Sequence, residues 1–116
     1  MTDTTPATSV TDAAAQPANV VTDNLAQSRF ELSVDGSLAY AVYQRQGQAI
    51  TFIHTFVPSS LRGRGIATQL ILAGLASSRV RGLEVIPQCP LFRAYMKKHG
   101  ETHDLLGPEG RALIAE

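Results

Sequence analysis

One dipeptide, Asp35-Gly36, constrains this chain more than any other feature, because it sits between two alternating runs in RFELSVDGSLAYAVYQ, residues 29–44. Phe30, Leu32 and Val34 alternate with polar residues before it, and Leu38, Tyr40 and Val42 follow it. A two-residue turn there needs positive φ at both positions, which Asp and Gly tolerate better than most residues. Strands joined so tightly are antiparallel neighbours. A second turn at Gln46-Gly47 leads into QAITFIHTFV. In strict alternation Ile50, Phe52, His54 and Phe56 share one face of that strand, and Thr51, Ile53, Thr55 and Val57 the other. The pattern predicts a three-stranded antiparallel meander.

Pro58 removes a backbone donor and ends the third strand. The stretch VPSSLRGRGIATQLILAGL then changes character halfway. Its first half is loop-like; in its second, Ile66, Ala67, Leu70, Ile71, Gly74 and Leu75 recur at helical spacing. Gly82 is placed to terminate that helix. LEVIP reads as a short strand, and strand–helix–strand is most simply a parallel right-handed crossover. PLFRAYMKKHG reads as a second helix, with Pro90 in its first turn and Gly100 closing it. Leu91, Tyr95 and Met96 or Lys98 are expected to alternate there between core and surface. The order is β-β-β-α-β-α: an α+β domain in which a meander followed by α-β-α builds a mixed sheet with helices packed on it. Ordered structure is expected to begin near Arg29. Residues 1–24, rich in Thr, Ala and Asp, read as a disordered tail, 25–107 as the domain, and 108–116 as a C-terminal tail.

Bulk properties exclude several classes. The 116 residues suit one domain. A single cysteine, Cys89, excludes an internal disulfide and a cysteine-rich zinc site, and fits a reducing cytoplasm. His54, His99 and His103 form no metal-site motif, so no metal is expected. No apolar run reaches membrane-spanning length, and the N-terminus lacks the pattern of a secretory signal. Net charge is zero but uneven: from Val57 to His99 there are seven bases and only Glu84 opposes them. Such a field attracts a phosphorylated ligand or forms a solvated basic face. Aromatic residues do not interleave with these bases as nucleotide stacking requires, so a nucleic-acid module ranks last.

The Arg62-Gly63-Arg64-Gly65 loop carries the chemistry. A glycine-rich loop opening a helix presents backbone N–H groups in one concavity, and the helix dipole adds positive potential. Gly63 and Gly65 let the backbone approach an anion, and Arg62 and Arg64 add charge. Neither the P-loop pattern nor GxGxxG is present. Arg-x-x-Gly-x-Ala, Arg62 to Ala67, instead resembles the pyrophosphate-binding signature of the GNAT superfamily of acetyl-CoA-dependent N-acetyltransferases. HTFVPSSLRGRGIATQL, GLEVIPQCPLFRAYMKKH and HDLL together resemble the minimal single-domain members, over about Arg29 to Leu106. Phe56 departs from the family, many of whose members carry Glu there.

The resemblance implies acetyl-CoA or CoA as co-substrate and an unidentified amine as acceptor. Thr55, Phe56 and Val57 would meet the pantetheine arm through their backbone. Arg62, Gly63, Arg64, Gly65, Ile66 and Ala67 would take the pyrophosphate. Two parallel strands commonly splay in the superfamily, freeing N–H groups for the thioester carbonyl. His54 could accept the amine's proton, since imidazole titrates near neutrality, or it is simply a packed histidine. Cys89, at a helix start that favours a thiolate, is a nucleophile, a lining residue or an apolar filler. Arg93, Lys97 and Lys98 could reach the 3′-phosphate, and Tyr95 could protonate the leaving thiolate; each reads equally as surface or core. Larger members have two helices between their first strands, where this chain has the Asp35-Gly36 hairpin. The acceptor side is therefore expected to be open, in a monomeric acetyltransferase or in a CoA-binding protein without turnover.

Overall fold

The computed structural model describes residues 20–115, so most of the expected tail, residues 1–19, lies outside the described residues. Five strands form one sheet in sequence order: β1 (Thr22–Asn24), β2 (Arg29–Val34), β3 (Ser37–Gln46), β4 (Ala49–Phe56) and β5 (Glu84–Pro87). The first four are antiparallel; β5 runs parallel to β4, after α1 (Ile66–Arg81). Helices α2 (Pro90–Lys98) and α3 (Pro108–Ala115) follow, with short 3-10 turns at Ser59–Leu61 and Gly100–Leu105. The expected meander, crossover and mixed sheet are all present.

Two segments read as tails are structured. Thr22–Asn24 pairs along β2, fixed by side chains that alternation cannot reveal: Asn24 donates to Glu31, and Tyr43 donates its hydroxyl to Asp23 at 2.6 Å. Residues 108–115 form α3, which packs on β5 and α2. Gly110 permits that approach, since a Cβ there would collide with the Val85 carbonyl and the Leu106 side chain.

The hairpin turns as its composition requires, with φ of 51° at Asp35 and 80° at Gly36. That turn pairs Val34 with Ser37, which places Ala39 opposite Leu32 and Ala41 opposite Phe30. The two alanines and Tyr43 therefore join the core, whereas Leu38, Tyr40 and Val42 lie on the other face.

In β4 the expected alternation fails. Tyr43 pairs with Phe52 and Val42 with His54, leaving Ile53 as the extra residue of a β-bulge. Ile50 and Phe52 are buried as expected, but beyond the bulge the pattern inverts. Thr55 is buried, while His54 and Phe56 are exposed. The shared face of Ile50, Phe52, His54 and Phe56 is thus corrected: only its first half holds.

Both central helices cover the core face. Phe52 and Phe92 stack with ring centroids 4.0 Å apart, and a Cβ at Gly74 would come within 3.0 Å of the Phe52 ring. Gly74 is what lets α1 lie against that stack. Ile66, Leu70, Ile71 and Leu75 complete the buried stripe of α1, and Gly82, with φ of 67°, caps its end. In α2 the buried residues are Phe92 and Met96; Leu91 is exposed and Tyr95 is half-buried.

Candidate functional site

Strands β4 and β5 pair only from Ala49↔Glu84 to Phe52↔Pro87. There the Cys89 N–H donates to the Phe52 carbonyl at 2.8 Å, and the chain turns into α2. β4 runs on to Phe56, still paired with β3. Its other edge, over residues 53–56, has no strand partner among the described residues. The bulge and the parting of the strands fall at the same point.

The loop after β4 delivers the chain to the N-terminus of α1. Leu61 is buried and anchors it, and Gly63 and Gly65 adopt φ of 80° and 73°. A side chain would be strained at either glycine, and the space beside both is open. Gly65 caps α1 with no side-chain hydrogen bond, and the first turn carries no acidic residue. The leading N–H groups of α1 are therefore the local donors for an incoming anion. A cavity of about 250 Å³ opens here, lined by Val57, Leu61, Arg62, Gly63, Gly65, Ile66, Ala67, Thr68 and Leu91. It adjoins a groove of about 390 Å³ between α1 and α2, which shares Ala67, Thr68 and Leu91 and continues to Tyr95, Lys98 and His99.

The two loop arginines separate. Arg62 lines the cavity, and its side chain has no ion-pair partner among the described residues. Arg64 instead reaches the β2–β3 turn, where both terminal nitrogens donate to Asp35 Oδ2 at 3.0 and 3.1 Å. Arg64 braces the loop against the hairpin.

Val57, Gly63, Gly65, Ile66 and Ala67 gather around the same cavity as Arg62. Phe56 faces away from the core, its ring 5.4 Å from that of Tyr40, which also carries the Arg29 guanidinium 4.6 Å from its centroid. His54 lies on that outer face, and the bulge keeps it on the opposite side of the sheet from Cys89. Cys89 is buried at 2% exposure, and the side chain that meets it is Thr55, whose Oγ1 lies 3.3 Å from the sulfur. Arg93 is spent on the main chain, donating to the Gln88 carbonyl at 2.8 Å. Tyr95 stacks on His99 with centroids 3.9 Å apart. Sequence reasoning missed Thr68 and Leu91 as lining residues, Asp35 as the partner of Arg64, and the side chain of Thr55; no local pattern marks any of them.

A further cavity of about 430 Å³ lies at the other end of α1, between Gly82, Glu84 and Gly107 and beside the Arg79–Asp104 ion pair. It has neither the glycine-lined helix entrance nor the parted strands. Among the described residues no group of three or more His, Cys, Asp or Glu is placed to hold a metal ion. No helix among them is long and apolar enough to cross a membrane.

In this mixed sheet the parallel strands part beside a glycine-lined helix entrance. The model of the GCN5-related N-acetyl-transferase family matches residues 29–105, and the chain belongs to that family of acetyltransferases. The matched span begins at β2 and ends at the second 3-10 turn, so it takes in the cavity, the parted strands and Cys89.

Proposed function

We propose that the chain is a small acetyl-CoA-dependent N-acetyltransferase that moves an acetyl group onto an amine. The observation that carries this reading is the coincidence of two features: β4 and β5 part after Phe52, and the free edge of β4 leads into the cavity at the α1 entrance. The pocket suits a diphosphate. Its glycines leave room beside the backbone, the α1 amides are uncapped by any side chain, and Arg62 brings charge.

When bound, acetyl-CoA supplies the activated thioester. The α1 amides and Arg62 hold the diphosphate, and Lys98 at the far end of the groove attracts a further phosphate. The backbone of residues 53–56 would orient the pantetheine arm, and N–H groups on its free edge would be donors for the thioester oxygen. Cys89 and Thr55 are buried against each other where β5 ends beside β4. His54, exposed on the outer face, would be the base only for an amine that approaches from that side of the sheet.

Phe56 supports a second reading, binding without turnover, because its exposed ring offers no group to take a proton. One assay separates the two. Both readings expect CoA to raise the melting temperature, by an amount equivalent to about 2.7 kcal/mol at a hundredfold excess over Kd. Only an enzyme releases free thiol from acetyl-CoA when a panel of amines is supplied. Absence of any CoA-dependent shift in the wild-type chain refutes both readings. Full turnover by Cys89→Ala would rule out transfer through its sulfur, and full turnover by His54→Gln would remove the imidazole from proton transfer.

A further inference from the structure

The loop between β4 and α1 is held at two points, and both holds come from one turn. Ser60 Oγ lies 3.4 Å from Ser37 Oγ, and Arg64 donates twice to Asp35 Oδ2, at 3.0 and 3.1 Å. Asp35 and Ser37 flank Gly36 in the β2–β3 hairpin. Between the two held residues Leu61 is buried at 1% exposure, and Arg62 lines the cavity at the α1 entrance. Arg62 thus stands on a short span fixed on both sides. Gly63 and Gly65 contribute no packing of their own, since the space where a Cβ would stand is empty at each. The Asp35–Arg64 pair is exposed, and such a pair adds little to overall stability. Its effect is local: it removes freedom that the loop would otherwise lose on binding a ligand.

We propose that Asp35 and Ser37 are positioning residues for Arg62: the hairpin turn clamps the loop on either side of Arg62 and so aims its guanidinium into the cavity. Neither residue lines the cavity, so both act through the loop alone. Arg64 is absent from the lining too, which makes it the clamp's other jaw rather than a second anion ligand. The clamp is separable from the fold. The hairpin strands keep their register through backbone pairing and through Phe30, Leu32, Ala39 and Ala41 in the core. Asn at position 35 also tolerates the positive φ that Asp35 adopts. The inference rests on the proposed function only for the identity of the anion, since the hold on the loop can be measured on the free chain.

The test uses the full chain and a double-mutant cycle between two residues that do not touch, Asp35 and Arg62. Calorimetry with CoA is expected to show Asp35→Asn binding about threefold more weakly than wild type, the scale of one side chain ordered at binding. In an Arg62→Ala background the same change should cost almost nothing, because the group it aims is gone. Ser37→Ala should show a smaller loss in the same direction. Arg64→Lys, which keeps a charge for Asp35, should recover most of what Arg64→Ala loses. A second readout needs no coenzyme: trypsin should cut the Arg62–Gly63 bond of free Asp35→Asn about threefold faster than in wild type, at an unchanged melting temperature. Arg64→Ala gives the same comparison if Asp35→Asn does not fold. Equal Asp35→Asn losses with and without Arg62, or wild-type cleavage in Asp35→Asn, overturns the inference. A missing CoA-induced melting shift in wild type, alongside the faster cleavage, would instead count against the coenzyme reading and leave the clamp standing.

Discussion

Arg62 and Arg64 stand two positions apart in one loop, yet they face different partners. Arg62 lines the cavity at the α1 entrance, and Arg64 is held by Asp35 across the hairpin. Arg62→Ala is therefore expected to weaken CoA binding on the order of 10- to 100-fold by calorimetry, the cost of a lost charge-assisted contact. Arg64→Ala should weaken it less, and Asp35→Asn should mimic Arg64→Ala rather than Arg62→Ala. The positive φ of Gly63 and Gly65 follows from residues that carry their own backbone preference, so it could be read locally. The direction of Arg64 could not, because Asp35 lies 29 residues away.

At the level of elements, the legible parts were those whose ends announce themselves: the Asp35-Gly36 turn, the Gly82 cap, and Pro90 in the first turn of α2. The bulge at Ile53 has no compositional signature, since ITFIHTF alternates convincingly in either phase, and it alone decides whether His54 or Thr55 meets Cys89. The edge strand was hidden because Thr22, Asp23 and Asn24 are polar and held by side chains rather than by apolar alternation. α3 did offer a signal, Pro108 at the start of a stretch ending in Ala112, Leu113 and Ile114, which its short length concealed. Packing between α1 and the sheet is close where α1 crosses the Phe52–Phe92 stack. Gly74→Val should cost about 1–3 kcal/mol in a denaturant melt, because it forces extra volume into a filled core.

Across the whole molecule, Asp23 ties three elements together. It accepts the Tyr43 hydroxyl from β3, and its carboxylate lies 3.5 Å from Arg81 at the end of α1. Burial, reinforced by the bond to Asp23, pushes the Tyr43 phenol up to about 12. The folded chain thus keeps this phenol neutral at a pH where an unfolded tyrosine, titrating near about pH 10, has already ionised. Its contribution to stability is complete below about pH 10 and is lost as pH climbs through about 12. Urea melts should show that alkaline decline in wild type and a flatter one in Tyr43→Phe, which near neutral pH should be less stable by about 1–2 kcal/mol. The bulge in β4 has a molecule-wide consequence of its own. One surplus residue divides the strand into two stretches and shifts the phase of burial between them. Systematic charged substitution along β4 should accordingly lower the melting temperature strongly at Ile50 and Phe52, little at His54 and strongly again at Thr55, a tolerance rhythm that skips one beat.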